Sequence, residues 1–145
     1  MSLTKVSIAV VLAAFSSIAF SAPLISPKEA ELPNASPTLS TRGISRGPAI
    51  KLNSPEVDAP VVSPFEFKVS FNARGDSKID PNSVKVIYMK SPFVDLTPRL
   101  KNAISANGID FSKAEVPPGT HTIRITVKDS EGRETNSVVN LVVAK

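Results

Sequence analysis

Phe65, Phe67, Val69 and Phe71 alternate with Glu66, Lys68 and Ser70 along one short stretch. Successive side chains of a strand point to opposite faces, so this stretch predicts a strand with one buried and one wet face. The pattern returns over 119–128. There His121, Ile123, Ile125 and Val127 take the inward positions, while Thr122, Arg124, Thr126 and Lys128 point outward. Residues 83–90 and 135–144 predict two more strands, and 49–53 and 109–114 two weaker ones. The last strand is apolar on both parities from Val138 to Val143, which predicts a strand covered on both faces.

Turn chemistry separates these runs. Arg74-Gly75-Asp76, Asp80-Pro81-Asn82, Pro117-Pro118-Gly119 and Asp129-Ser130-Glu131-Gly132 all combine glycine, proline or aspartate at short range. Short strands between such turns predict an all-β fold, a sandwich over residues 48–145. One helix interrupts it. Thr97 followed by Pro98 has the form of a helix start, Leu100, Ala103 and Ile104 share a side, and Asn107-Gly108 ends it, so 98–106 predicts two turns inserted between strands. Asp95 offers an alternative cap, or a bond to the backbone near Thr97.

The first 47 residues break the alternation. Lys5 precedes a charge-free apolar run of 15 residues, Val6 to Phe20, and small residues follow. That order is the grammar of a secretory signal, expected here over 1–21, with cleavage after Ser21. A permanent span needs about 20 apolar residues, so no membrane span is expected after cleavage. Residues 22–47 carry Pro23, Pro27, Pro33 and Pro37 among Ser, Thr and Asn, with no sustained period. They predict a flexible linker, closed by a small basic cluster at Arg42 and Arg46. The expected location is therefore periplasmic or secreted.

Composition narrows the function classes. The chain has 145 residues, no cysteine, one histidine and a net charge of +4, with its charges interspersed. Lack of cysteine removes thiol catalysis, thiolate metal sites and disulfides, so the apolar core must hold the fold. His121 lies on an inward face and no nucleophile motif accompanies it, which predicts a packed structural histidine and a chain that is not an enzyme and needs no cofactor. Arg74-Gly75-Asp76 is expected to be a plain hairpin turn. Asp76, Asp80, Asp129 and Glu131 lack the spacing of a calcium loop. Without Trp and with one Tyr, flat aromatic platforms for sugar are scarce. No nucleic-acid partner is expected of an exported chain.

The segment from Val116 through Pro117-Pro118-Gly119-Thr120-His121 to Asp129-Ser130-Glu131-Gly132-Arg133 resembles bacterial immunoglobulin-like domains, in which a P-x-G-x-H/Y turn enters one strand and a D-x-x-G turn leads to the last. The whole chain also resembles small periplasmic proteins of Gram-negative bacteria that carry one such domain. The resemblance implies an immunoglobulin-like antiparallel β-sandwich and an envelope location, and it supplies no catalytic residues. Periplasmic copper carriers share the size and the turns, but their site draws on several histidines, one at the mature N-terminus. His121 alone cannot supply that set.

The function expected on this basis is a non-catalytic module for protein interaction or envelope structure. Its partner would be an envelope protein or an anionic surface polymer. The alternative is a carrier of a small ligand, metal ion or anionic polymer. Candidate contact surfaces are the crossing loop from Lys90 to Arg99, with Asp95 and Arg99, the basic outward face with Lys85, Arg124 and Lys128, and the cluster Arg42 and Arg46.

Overall fold

The computed structural model describes residues 23–36, 46–56 and 59–145. The expected signal segment, Arg42 and the rest of 37–45 lie outside the described residues. Among the described residues, nine strands form two facing sheets. They are β1 (Ala49–Ser54), β2 (Val61–Val62), β3 (Phe65–Asn72), β4 (Ile79–Tyr88), β5 (Val94–Asp95), β6 (Ile104–Ser105), β7 (Gly108–Ala114), β8 (Gly119–Asp129) and β9 (Glu134–Ala144). One sheet runs β1-β3-β7-β6 and the other β2-β9-β8-β4-β5. The result is the all-β sandwich that the alternation predicts. All pairings are antiparallel except β2 with β9, which is parallel.

The alternating residues fill the space between the sheets. Phe67, Val86, Tyr88, Ile109, Ile123, Ile125, Val127 and Leu141 are almost wholly buried. Each such aliphatic or aromatic side chain contributes about 1.5–3 kcal/mol on leaving water. The 119–128 parity is as expected, with His121 on the inward face and 3% exposed.

Several elements differ from expectation. The inserted helix is shorter: α2 (Thr97–Leu100) runs into a 3-10 turn at Lys101–Ala103, and Ile104 already belongs to β6. Thr97 does not cap it. Its hydroxyl instead accepts from the Val86 amide at 2.8 Å, closing the β4 edge, while Asp95 Oδ1 accepts from the Thr97 amide at 2.9 Å. Asn107-Gly108 forms the β6–β7 turn, and Gly108 is fixed there by its φ of 145° and by the Val69 carbonyl oxygen that any Cβ would overlap. Asp80-Pro81-Asn82 lies inside β4 as an irregularity between the Asp80–Lys128 and Lys85–Thr126 pairs. Arg74-Gly75-Asp76 joins β3 to β4, which belong to different sheets, so it is a crossing and not a hairpin.

The linker expectation fails over 23–36. Leu24 and Ile25 are 1% and 0% exposed and belong to the core. Both amides donate to the Glu115 carbonyl, at 3.0 and 3.3 Å. Next comes the one-turn helix α1 (Pro27–Ala30), begun by a capping box in which Ser26 and Glu29 satisfy each other's amides. Beyond it, the Ser91 amide donates to the Pro33 carbonyl at 2.8 Å and the Ala35 amide to Met89 at 3.2 Å. This stretch is an arm strapped to the sandwich.

Candidate binding face

The outward positions of the five-stranded sheet line up by register. Ile87 pairs with both Asp95 and Arg124, and Arg124 pairs with Val138, so one row crosses β5, β4, β8 and β9. The next row is Lys85, Thr126 and Asn136, and beyond the β4 irregularity Lys128 pairs with Glu134. Side chains directly opposite in such rows lie about 5 Å apart at Cβ, so each row acts as one contact strip. Two ladders stiffen the face: the Thr122 hydroxyl donates to Asn140 at 3.0 Å and that of Thr126 to Asn136 at 2.5 Å.

Lys85, Arg124 and Lys128 thus converge. They share a shallow depression of about 340 Å³ with Ser83, Thr126, Glu134 and Asn136. Ser83 anchors its floor, donating to the Asp80 carbonyl at 2.6 Å and accepting from the Lys128 amide at 2.8 Å. Glu134 is its one acid, 3.7 Å from Lys128, and the pair is about half exposed. Such a pair contributes little, so the depression keeps a positive bias.

Arg124 is set apart. Its Nε is shielded from solvent and has no hydrogen-bond partner. The guanidinium lies 5.7 Å from the Phe93 ring centroid, a cation–π arrangement. Phe93 and Val138 are 58% and 60% exposed. The expectation that both faces of β9 are covered therefore fails at Val138, because among the described residues nothing is layered outside that sheet. Phe93 falls in the crossing loop that the sequence offered as a contact surface, whereas Val138 was not a candidate. The alternation of β9 put Val138 on the outward parity, which was the available signal.

Asp95 stands at the end of the Arg124 row, and it also lines a second, more apolar groove of about 570 Å³ with Pro81, Val84, Pro98, Lys101 and Ile104. Arg99 does not join the face. Its guanidinium grips both carboxylate oxygens of Glu29, at 2.7 and 2.5 Å, and donates to the Leu24 carbonyl at 2.9 Å. Arg99 is the buckle of the arm, and its hydrogen bond holds the Glu29 carboxyl below its ordinary pKa. Its charge is therefore committed to the arm, away from the Lys85, Arg124 and Lys128 cluster.

His121 heads a buried polar chain. Pro117 offers Nε2 only a carbonyl acceptor, at 2.7 Å, so Nε2 carries the proton and Nδ1 accepts from the Tyr88 hydroxyl at 2.7 Å. Lys90 lies 5.4 Å from the Tyr88 ring centroid and donates to Asn34 of the arm at 2.7 Å. Burial lowers the His121 pKa, and the Lys90 charge adds to this against the pull of the Pro117 carbonyl. Burial, then the Glu29 charge, raises that of Tyr88. Both nitrogens of the imidazole are engaged and its phenolic neighbour is held neutral, so the chain ties β4, β8 and the arm together.

Asp129 is likewise structural. It accepts from the Glu131 and Arg133 amides at 3.0 and 2.9 Å and from Arg133 Nε at 2.8 Å. Burial pushes its pKa up, and the Arg133 donors with the Glu131 amide more than reverse this. Among the described residues no three His, Cys, Asp or Glu side chains gather as metal ligands, and no helix is long and apolar enough to cross a membrane. No family model, curated protein or solved structure matches the chain.

Proposed function

We propose that this chain is an exported, non-catalytic immunoglobulin-like module that binds an envelope protein through the outer face of its five-stranded sheet. The observation that carries the reading is Arg124, half-sunk in that face without a hydrogen-bond partner at Nε, beside exposed Phe93 and Val138. Arginine and aromatic anchors on an ordered surface are what protein interfaces concentrate. The strand order supports the immunoglobulin-like part: β1-β3-β7-β6 corresponds to the ABED sheet of that fold, β9-β8-β4 to GFC, and β5 extends the second sheet beside β4. The charge, apolar run and small residues of 1–21 support export.

Three of the four sheet edges are poorer candidates, β1 with its six residues being the exception. β2, β5 and β6 have two residues each, and short edge strands resist pairing with another chain. The second reading, an anionic envelope polymer as ligand, draws on the cationic bias of the same depression.

The test is photo-crosslinking in living cells, with the reactive residue at Asn136 on the proposed face or at Asp110 on the opposite sheet. The reading expects one discrete protein adduct from Asn136 and none from Asp110. No protein adduct at Asn136, with the chain sedimenting with cell-wall polymer, overturns it in favour of the second reading.

A further inference from the structure

We propose that the depression over Lys85, Arg124 and Lys128 is a carboxylate-reading subsite, taking an acidic side chain flanked by apolar residues from a segment of the partner protein. The proposal rests on the interaction reading above and names what that partner must present.

Two other arginines of the sandwich, Arg99 and Arg133, are already matched to acids. Arg99 grips Glu29, and Arg133 bonds Asp129 with Glu131 alongside. Among the described residues, Arg124 Nε has no hydrogen-bond partner, and the Phe93 ring lies beside its guanidinium. A donor shielded from water and unpaired leaves a deficit that an incoming acceptor removes. The planar fork of a guanidinium fits a carboxylate through two parallel hydrogen bonds. Lys85 and Lys128 add positive charge on the same side, against Glu134 alone.

The surroundings select the carrier of that carboxylate. Ile87 and Val138 flank Arg124 in its own row, and Phe93 covers it from the β5 side. A phosphate-rich polymer gains nothing from Phe93 and Val138, both more than half exposed. A peptide with apolar residues on either side of a glutamate covers them as its carboxylate reaches Arg124. Charge complementarity and apolar cover together therefore favour a protein segment.

The experiment is an amide chemical-shift titration of the ¹⁵N-labelled protein with acetyl-Leu-Glu-Leu-amide, acetyl-Leu-Gln-Leu-amide and inorganic pyrophosphate. The glutamate peptide is expected to give saturable shifts confined to β4, β8 and β9. The glutamine peptide is expected to bind about tenfold more weakly, and Arg124→Gln to lose a similar factor for the glutamate peptide. Val138→Ser should weaken the glutamate peptide and leave pyrophosphate unchanged. Unchanged spectra of the free variants away from the face establish that they fold. Lys85→Gln with Lys128→Gln, which leaves Arg124 in place, serves as a second variant and should also weaken the glutamate peptide. Equal binding of the two peptides, absence of any saturable shift, or pyrophosphate binding as tightly as the glutamate peptide overturns the proposal. A protein adduct from Asn136 without glutamate preference sinks this inference alone. Glutamate binding without any adduct sinks the interaction reading alone.

Discussion

His121 and Arg124 share strand β8 and point to opposite faces, and their environments are reversed. The imidazole is enclosed with both nitrogens bonded, whereas the guanidinium looks outward with Nε unpaired. The first arrangement has a pH signature. Folding depresses the His121 pKa below its ordinary 6.5. In acid the unfolded chain therefore takes up the proton first. The stability this group contributes is complete above about 6.5 and is lost as pH falls through the folded pKa. The urea midpoint, followed from about pH 8 to about pH 5, should fall in the wild type, and a His121→Leu variant should lack that step. Tyr88→Phe strips Nδ1 of its donor inside the core and should cost about 1–3 kcal/mol in the same assay. Parity along β8 was legible because alternation needs only neighbouring residues. The Tyr88–His121 bond was not, since it joins strands whose register no local pattern states.

At the scale of elements, the arm is the main departure from the sequence reading. Leu24 and Ile25 are adjacent, too few to form a period, and they sit among prolines that signal extended chain. Composition reports what a segment cannot form by itself and says nothing of what it lies against. α1 is one turn long and cannot persist alone, since isolated helices below about 12 residues are marginal in water. The sandwich holds it through Glu29 and Arg99. Ile25→Ala should cost about 2–5 kcal/mol by calorimetry, the range for a large-to-small core change. Glu29→Gln should cost about 1 kcal/mol, because water partly screens the pair. The β6–β7 turn makes a sharper demand: Gly108→Ala puts a Cβ into the Val69 carbonyl at a left-handed φ and should cost on the order of 3 kcal/mol in a denaturant titration. Asn107-Gly108 was visible as a terminator, but what it terminates depended on a helix that stops at Leu100.

For the molecule as a whole, the alternation carried the architecture, and the long strands fell within a few residues of their expected ends. What it could not carry was the identity of the exposed apolar positions. Val138 stands in an apolar run, and only the layering of the sheets leaves it bare. The arm has its own consequence at this scale. It behaves as a ligand joined to its own receptor, with residues 37–45 as the connection. Covalent attachment makes its docking an intramolecular event. A chain made in two pieces divided within 37–45 should therefore assemble only when the 23–36 fragment is abundant, and heat stability should rise with fragment concentration. Ile25→Ala in that fragment should shift the required concentration upward. Such a pair is a self-labelling reporter: a dye on the synthetic fragment lights the sandwich in place, with the Arg124 face left free.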